Sequence, residues 1–280
     1  MSSSRTPGAA GGRIAKHLVL IAFTVLAAAP VLLIFLNSFK ARRSIFANPY
    51  ALPDPTSFSL VGYDTVFARS NFALYYGNSL TVSLVSLVLI LGLGSMIAFA
   101  LAEYPFTGNK PLAVFFIIGI MIPIRLGSVS LLQLVVSLHL VNTLLALIFV
   151  YVAQGLPLAV FILTQFMRQV PRDLKDAARV DGANEYRIYL LVLPLVRPAL
   201  ATVAVLSIIP IWNDLWFPLI LAPGEATKTV TMGAMQFLGQ FSNDWNAVLS
   251  ALSLSAGPIL ALYLLFSRQF LRGLTAGAVK

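Results

Sequence analysis

Residues 170–200 read VPRDLKDAARVDGANEYRIYLLVLPLVRPAL, a charged segment placed between two long apolar runs. The run before it, residues 144–167, and the run after it, residues 199–221, together contain a single charged side chain, Asp214. A bilayer crossing needs about 20 predominantly apolar residues, so each run is long enough to span a membrane. The pattern therefore predicts two membrane helices joined by a polar connection.

The composition of the whole chain extends this prediction. Of its 280 residues, 59% are hydrophobic and 10% are charged, whereas about a quarter of the residues in a soluble domain are charged. This composition excludes a water-soluble globule. We predict an all-α integral membrane protein with six transmembrane helices, formed by residues 18–39, 72–102, 111–134, 144–167, 199–221 and 247–267.

The distribution of basic residues predicts the orientation. Six crossings place both termini on one side, and that side carries thirteen of the nineteen Lys and Arg against five on the other. The positive-inside rule then makes both termini cytoplasmic. We expect cytoplasmic tails at 1–17 and 271–280 around a six-helix transmembrane domain of residues 18–270, with residues 168–197 as its main cytoplasmic loop. Because membrane orientation accounts for the charge of +9, we expect no nucleic-acid partner.

The residues that are missing limit the chemistry. With no cysteine and only His17 and His139, the chain cannot form a disulfide, a zinc-thiolate site, a thiol nucleophile or a multi-histidine metal site. No glycine directly precedes a lysine, so the P-loop pattern GxxxxGK[ST] cannot be matched. We therefore expect no catalytic residues, no metal and no cofactor, and any ATP that drives this protein would be bound by a separate subunit.

The charged segment itself predicts two short helices joined by a corner. Pro171 can open a helix in its first turn, and Asp176 lies favourably near the positive end of that helix. Asp181 and Gly182 then permit a sharp turn, since glycine adopts positive φ readily. A second helix is expected from about Ala183. The residues alone leave two interpretations open: an elbow on the cytoplasmic face, or an amphipathic loop lying on the lipid headgroups.

Several motifs in this order resemble permease subunits of binding-protein-dependent ABC importers. The EAA loop of that family is matched by Asp176-Ala177-Ala178, by Asp181-Gly182-Ala183, and by Leu193-Pro194 with Arg197-Pro198. Residues 270–280, Trp212-Asn213-Asp214 and Asn78-Ser79-Leu80 are similar to the carbohydrate-importer branch of the MalG type. The resemblance covers nearly the whole chain beyond residue 17. Two departures are an aspartate in place of the usual glutamate at 176, and a Gly182–Pro194 spacing one residue shorter than the family pattern.

The resemblance implies a fold, partners and a coupling site. It implies the ABC type I importer permease fold in the bacterial inner membrane, and a transport subunit rather than an enzyme, moving a sugar, an oligosaccharide or a polyol. The implied partners are a second, MalF-like permease, two ATPase subunits that bind the ATP, a periplasmic solute-binding protein and membrane lipid. In this family the loop docks in a groove of the ATPase, which assigns ATPase coupling to Asp176, Ala177, Ala178, Asp181, Gly182, Ala183, Leu193 and Pro194.

A polar and aromatic group in the fifth crossing is a candidate for the substrate pathway. It consists of Trp212, Asn213, Asp214 and Trp216, whose rings and polar groups suit the apolar faces and hydroxyls of a sugar. A carboxylate at membrane depth costs roughly 2.5–3.5 kcal/mol even on the most lenient scale, so Asp214 should face a partner helix or a wet cavity. The alternative is an aromatic belt with a helix-end acid. Arg125 lies at a similar height and could pair with Asp214 or extend outward.

The extracytoplasmic loop of residues 223–246 also has two interpretations. It holds more apolar residues than water alone favours, among them Met232, Phe237 and Trp245. By resemblance it would meet the solute-binding protein. It could instead be a re-entrant segment packed on its own bundle.

The rival function is a stand-alone ion-coupled carrier. Such carriers usually hold several ionisable groups within their helices and often contain repeated halves. This chain offers only Asp214 and Arg125 at membrane depth and no visible repeat. We therefore prefer an ATP-driven importer subunit.

Overall fold

The computed structural model of the chain describes residues 8–239 and 244–276, which are helical apart from turns, loops and isolated bridges such as the antiparallel one between Lys40 and Phe58. The helices are α1 (Gly8–Ser38), α2 (Arg42–Ala47), α3 (Val61–Arg69), α4 (Phe72–Glu103), α5 (Asn109–Met121), α6 (Ser128–Ser137), α7 (Leu144–Arg168), α8 (Arg172–Val180), α9 (Glu185–Leu195), α10 (Arg197–Asn213), α11 (Trp216–Leu221), α12 (Val230–Met235) and α13 (Trp245–Ala276). Two 3-10 turns lie at Ile124–Gly127 and Glu225–Thr227.

Several of these helices are long and apolar enough to cross a membrane. Three single helices meet this condition: α1 from Lys16 onward, α4 and α7. Two more candidates are bent pairs, α5 with Ile124–Ser137 at 82° and α9 with α10 at 75°. The sixth predicted crossing falls in α13, whose segment Trp245–Ala261 is a shorter apolar helix. The helical membrane architecture is confirmed, while the count of six and the orientation stay predictions.

The predicted tails contain more helix than the sequence suggested. α1 begins at Gly8, so the segment 1–17 is helical from that residue, where alanines and the following basic residues favour a helix. α13 continues to Ala276, past the predicted domain end at residue 270, since no proline after Pro258 stops it. The last four residues of the predicted tail 271–280 lie outside the described residues.

Two predicted crossings are interrupted rather than straight. The third, residues 111–134, breaks after Met121 because Pro123 has no backbone N–H and clashes with a preceding turn. The fifth, residues 199–221, breaks at Asp214, which is extended with ψ 134°. Irregular backbone at membrane depth is tolerated only where it is buried in protein or lines a cavity. Both breaks are therefore candidates for functional positions.

The chain divides into two compact units, of which the smaller comprises the described parts of Met1–Ser70 and Ala234–Ala256. Its centre is Lys40, which is 1% exposed and donates from Nζ to Asn37 Oδ1 at 3.1 Å and to the Asn48 carbonyl at 2.9 Å. Burial lowers the pKa of Lys40, partly offset by the charge of Asp54. Asn246 donates to the Lys40 carbonyl at 2.6 Å, which joins the two segments of this unit.

The larger unit, which includes Asn71–Gly233, is organised around α4 and α7. Small residues let these two helices approach closely, as is common in membrane bundles. Gly94 of α4 is buried against Ala159 of α7, and a Cβ at Gly94 would lie 2.9 Å from the Ala159 Cβ. Gly92 of the same helix has no atom within 4 Å of such a Cβ.

We expect Gly94→Val to destabilise the protein and Gly92→Val to leave it nearly unchanged. Extra methyl groups forced into a close contact typically cost about 1–3 kcal/mol, whereas at Gly92 the same side chain enters open space. The measurement is the thermal unfolding midpoint of the detergent-solubilised protein, which should fall by several degrees for Gly94→Val alone. Equal midpoints for the two variants would contradict the close packing of α4 on α7.

Candidate functional site

Two short helices, α8 and α9, form the predicted elbow, here defined as residues 171–193. Gly182 stands between them with φ +79°, in the left-handed region that glycine adopts without strain. α9 begins at Glu185 rather than at Ala183 because Asn184 caps it, its Oδ1 accepting the Arg187 N–H at 3.0 Å. The corner predicted from the Asp-Gly pair is therefore present.

The elbow is fixed to the end of α4 by a buried ion pair. Glu103, the last residue of α4, accepts from the ammonium of Lys175 and from Arg179 Nη2, the latter at 2.9 Å. The side chains of Lys175 and Glu103 are only 6% and 10% exposed. A buried charge of this kind is tolerated when its partner and hydrogen bonds are in place. The pair therefore holds α8 against the bundle in one position.

Arg179 extends this connection across the corner. Its guanidinium also contacts Asp176 at 2.9 Å and Glu185 at 3.2 Å, so α8, α9 and α4 share one cation. Hydrogen bonds, first to Glu103 and then to Glu185, raise the pKa of Arg179, which stays charged. Tyr104 donates to Glu185 at 2.6 Å, and desolvation together with this carboxylate raises the pKa of Tyr104 to about 12. The phenol thus remains a donor at neutral pH.

The motif residues of the elbow divide between an outer and an inner side. Ala178, Ala183 and Leu193 are half-buried and pack against the hydrophobic core of the larger unit. The exposed motif residues are Asp176, Ala177, Asp181, Gly182 and Pro194. Large apolar side chains are exposed beside them, with Leu174 48%, Val180 88% and Tyr186 64% accessible. These exposed side chains offer apolar area suited to contact with another protein.

At the second candidate site, Asp214 is held by donors from its own chain. Its carboxylate accepts from Arg125 Nη2 at 3.3 Å and from the Tyr151 hydroxyl at 2.9 Å. The backbone amides of Trp216 and Phe217 donate to it at 3.3 and 3.1 Å, at the start of α11. Its side chain is 6% exposed, whereas that of Arg125 is 67% exposed. Asp214 therefore stabilises the helix break and pairs with Arg125, one of the two possibilities left open by the sequence.

The two helix breaks are joined to each other. The indole N–H of Trp216 donates to Ser128 Oγ at 2.8 Å, and Ser128 in turn donates to the Arg125 carbonyl at 2.5 Å. Thr231 donates to the Asp214 carbonyl at 2.8 Å. The irregular backbone near 125 and near 214 therefore forms one hydrogen-bonded junction.

The other predicted pathway residues lie at different places. Trp212 is buried, with its ring centroid 6.0 Å from that of Tyr76. Asn213 is exposed and donates to the Ile209 carbonyl of its own helix at 3.0 Å. Trp216 is 44% exposed beside Asp214. The structure thus joins Trp216 and Asp214 with Arg125, while a pathway role for the four residues stays a prediction.

The first half of the loop 223–246 is packed on α4. Tyr75 donates to the carboxylate of Glu225, and Asn78 donates to the carbonyls of Ala226 and Lys228, both at 2.9 Å. Ser79 accepts from the Val230 N–H at 2.8 Å. These contacts favour the interpretation of a segment folded onto its own bundle for residues 225–230.

Several of the groups described above were not predicted as site residues from the sequence, among them Glu103, Tyr151 and Glu185. Glu103 directly follows the second predicted crossing, residues 72–102, and is an acid at the same end of the bundle as the basic elbow. Tyr151 gave no signal that distinguishes it from other aromatic residues in membrane helices. Glu185 was placed in the second elbow helix without a role.

Among the described residues, no group of three His, Cys, Asp or Glu could hold a metal ion.

Comparison with known sequences finds a matching family model and several similar proteins. Residues 90–275 match the family model described as "Binding-protein-dependent transport system inner membrane component". An arabinooligosaccharides transport system permease protein of Halalkalibacterium halodurans is 34% identical over 254 residues, covering 90% of each chain. A melibiose/raffinose/stachyose import permease protein of Bacillus subtilis is 30% identical over 253 residues, covering 90% of this chain and 91% of the relative.

A solved structure has a similar fold. It is a chain of a bacterial ABC transporter involved in the import of the acidic polysaccharide alginate, with a TM-score of 0.82. The match covers 96% of this chain and 100% of that chain at 18% sequence identity. At this identity the similarity establishes the fold.

Proposed function

The chain belongs to the family of binding-protein-dependent transport system inner membrane components, and on this premise we propose that it is one half of the channel of an ATP-driven carbohydrate importer. Members of this family are permease subunits of ABC importers, multi-pass proteins of the inner membrane without enzymatic activity of their own. Such importers combine a partner permease, an ATPase and a solute-binding protein. Membership therefore excludes the stand-alone ion-coupled carrier.

A carbohydrate substrate is supported by the relatives. Three relatives that each cover at least 90% of this chain are permeases for arabinooligosaccharides, for melibiose, raffinose and stachyose, and for diacetylchitobiose. All three names describe short oligosaccharides. We propose a neutral oligosaccharide as the substrate class.

We propose that the elbow couples transport to ATP hydrolysis on the cytoplasmic side. The observation that carries this proposal is its two-sided construction: Glu103 ties Lys175 and Arg179 to α4, while Leu174 and Val180 remain exposed. Force applied to the exposed face would reach the bundle through the buried ion pair. A two-state bundle biased from both ends in this way can alternate between inward-open and outward-open forms.

The subunit composition follows from the same proposal. The partner permease would be a different, MalF-like chain, two ATPase subunits would hold the ATP, and a periplasmic binding protein would deliver the sugar. The part of the loop 223–246 that follows residue 230 would contact this binding protein. The residues Trp212, Asn213, Asp214 and Trp216 would border the pathway, with Asp214 acting through Arg125.

The proposal is tested in vesicles that contain the complete complex, in which this chain is reconstituted with its partner permease, ATPase and solute-binding protein. Uptake of labelled raffinose, arabinotriose and diacetylchitobiose is measured with ATP inside, with a labelled amino acid as the control. We expect ATP-dependent uptake of at least one oligosaccharide that survives collapse of the proton gradient. Uptake of the amino acid alone, or uptake without ATP, would contradict the proposal.

A further inference from the structure

A cavity of about 250 Å³ in the larger unit lies between α7, α10 and the 3-10 turn that holds Arg125. Its polar lining consists of Arg125, Tyr151, Gln154, Ser207 and Asp214, and the remaining lining residues are apolar or glycine. A second cavity of about 760 Å³ shares Arg125 and Gln154 with the first and is otherwise lined by apolar residues and glycine. These two side chains are thus the polar groups common to both cavities.

Gln154 lies near the middle of α7, a helix apolar enough to span the membrane. Gln154 is an exposed residue, and among the described residues no group forms a hydrogen bond with its side-chain amide. An amide left unpaired in hydrocarbon costs several kcal/mol, so this face of α7 cannot lie against lipid tails. It must face water, a polar ligand or a polar group of another subunit.

Arg125 has unused hydrogen-bonding capacity at the same place. A guanidinium carries five N–H donors, and within the described part of the chain the side chain of Arg125 makes one hydrogen bond, to Asp214 at 3.3 Å. With 67% of its side chain exposed, the remaining donors are accessible. Because Asp214 balances its charge, the pair is neutral as a whole.

We propose that Arg125 and Gln154 form a subsite for a neutral saccharide in the translocation pathway, with Gln154 reading the hydroxyl groups; this rests on the proposed function. Arg125 supplies donors, while the amide of Gln154 supplies both a donor and an acceptor, as vicinal hydroxyls require. Phe115 and Phe116 line the larger cavity and offer rings to the apolar face of a sugar. The neutral ion pair gives an acidic sugar no electrostatic advantage over a neutral one.

The absence of cysteine from this chain permits a direct test. Gln154→Cys is labelled with a charged, water-soluble methanethiosulfonate reagent in a complex whose partner subunits have been freed of cysteine. The matched control is Phe149→Cys, which is on the same helix and 55% exposed but lines neither cavity. We expect labelling at 154 and little at 149. The transported oligosaccharide, at about ten times the concentration that half-saturates transport by the Gln154→Cys complex, should slow labelling at 154 about tenfold, since only the unoccupied fraction reacts.

Three outcomes would overturn the subsite. In the first, the cysteine at 154 does not react because the partner permease covers it. In the second, it reacts but no saccharide protects it. In the third, only the acidic sugar digalacturonate protects it, which would mean that the site selects anions. The wild-type complex is assayed in parallel for raffinose, arabinotriose and diacetylchitobiose uptake. Uptake without protection at 154 rejects the subsite alone, whereas absence of any saccharide uptake rejects the proposed function itself.

A rate measurement separates binding from structure. We expect Gln154→Leu to lower the transport rate about tenfold, the effect of losing one net hydrogen bond, while complex assembly is unchanged. Gln154→Asn, which keeps the amide, should recover part of the rate, and Phe149→Leu should have none of the effect. Equal rates for wild type and Gln154→Leu would contradict a role in reading hydroxyls.

Discussion

Gly182→Val is expected to leave the subunit inserted and assembled but to lower ATP-driven uptake at least tenfold. Gly182 has φ +79°, and no atom lies within 4 Å of the position of an added Cβ. The penalty is therefore one of backbone conformation rather than of contact. A residue held in such a region costs about 1–3 kcal/mol, and more for a β-branched side chain. The corner can escape this strain only by changing the angle between α8 and α9.

The measurement compares ATP hydrolysis with uptake in the same vesicles. Because the ATPase is a separate subunit, we expect hydrolysis to continue while uptake falls, so that the ratio of ATP consumed to sugar transported rises. Gly182→Asn is the matched control, since asparagine tolerates left-handed conformations and should keep most of the coupling. Gly108→Val introduces similar strain at φ +100° outside the elbow and should retain coupling. Normal coupling in Gly182→Val would contradict the role of the corner.

The elbow could be predicted from the sequence because its signals are local. Proline before a helix and glycine after it fix backbone conformations within a few residues, and the structure has α8 and the Gly182 corner at the expected places. α9 begins at Glu185 and not at Ala183, because the side chain of Asn184 caps the helix at that point. Local signals thus identified the elements and missed only a boundary.

The helix breaks and the partners of the charges depend on tertiary contacts. Hydropathy treats residues 199–221 as one apolar run, whereas the interruption at Asp214 is stabilised by the distant Tyr151 and Arg125 as well as by the local amides of Trp216 and Phe217. The pairing of Asp214 with Arg125 joins residues far apart in the chain, so spacing could not decide it. The ion pair of Glu103 with Lys175 was missed for the same reason.

Glu103→Gln is expected to release the elbow from α4 and to lower uptake by an order of magnitude or more. The substitution keeps the shape of the side chain but leaves Lys175, which is 6% exposed, without its counter-charge. Removing one partner of a buried ion pair typically costs about 3–5 kcal/mol. Arg179 loses one of its three carboxylates and keeps Asp176 and Glu185. The lost stabilisation therefore mainly weakens the attachment of α8 to α4.

Hydrogen exchange and a second substitution separate this effect from general unfolding. In Glu103→Gln we expect faster amide exchange in residues 172–185 and unchanged exchange in α7. Asp176→Asn removes a carboxylate that is 64% exposed and should cost well under about 1 kcal/mol, with little change in the exchange of the same amides. Combining Glu103→Gln with Lys175→Met removes the unpaired buried charge and should restore much of the protection, because replacing both partners avoids the cost of burying one alone. If Glu103→Gln behaved like Asp176→Asn, force would have to pass from the elbow to the bundle by another contact, such as the packing of Ala178 and Ala183 on the core.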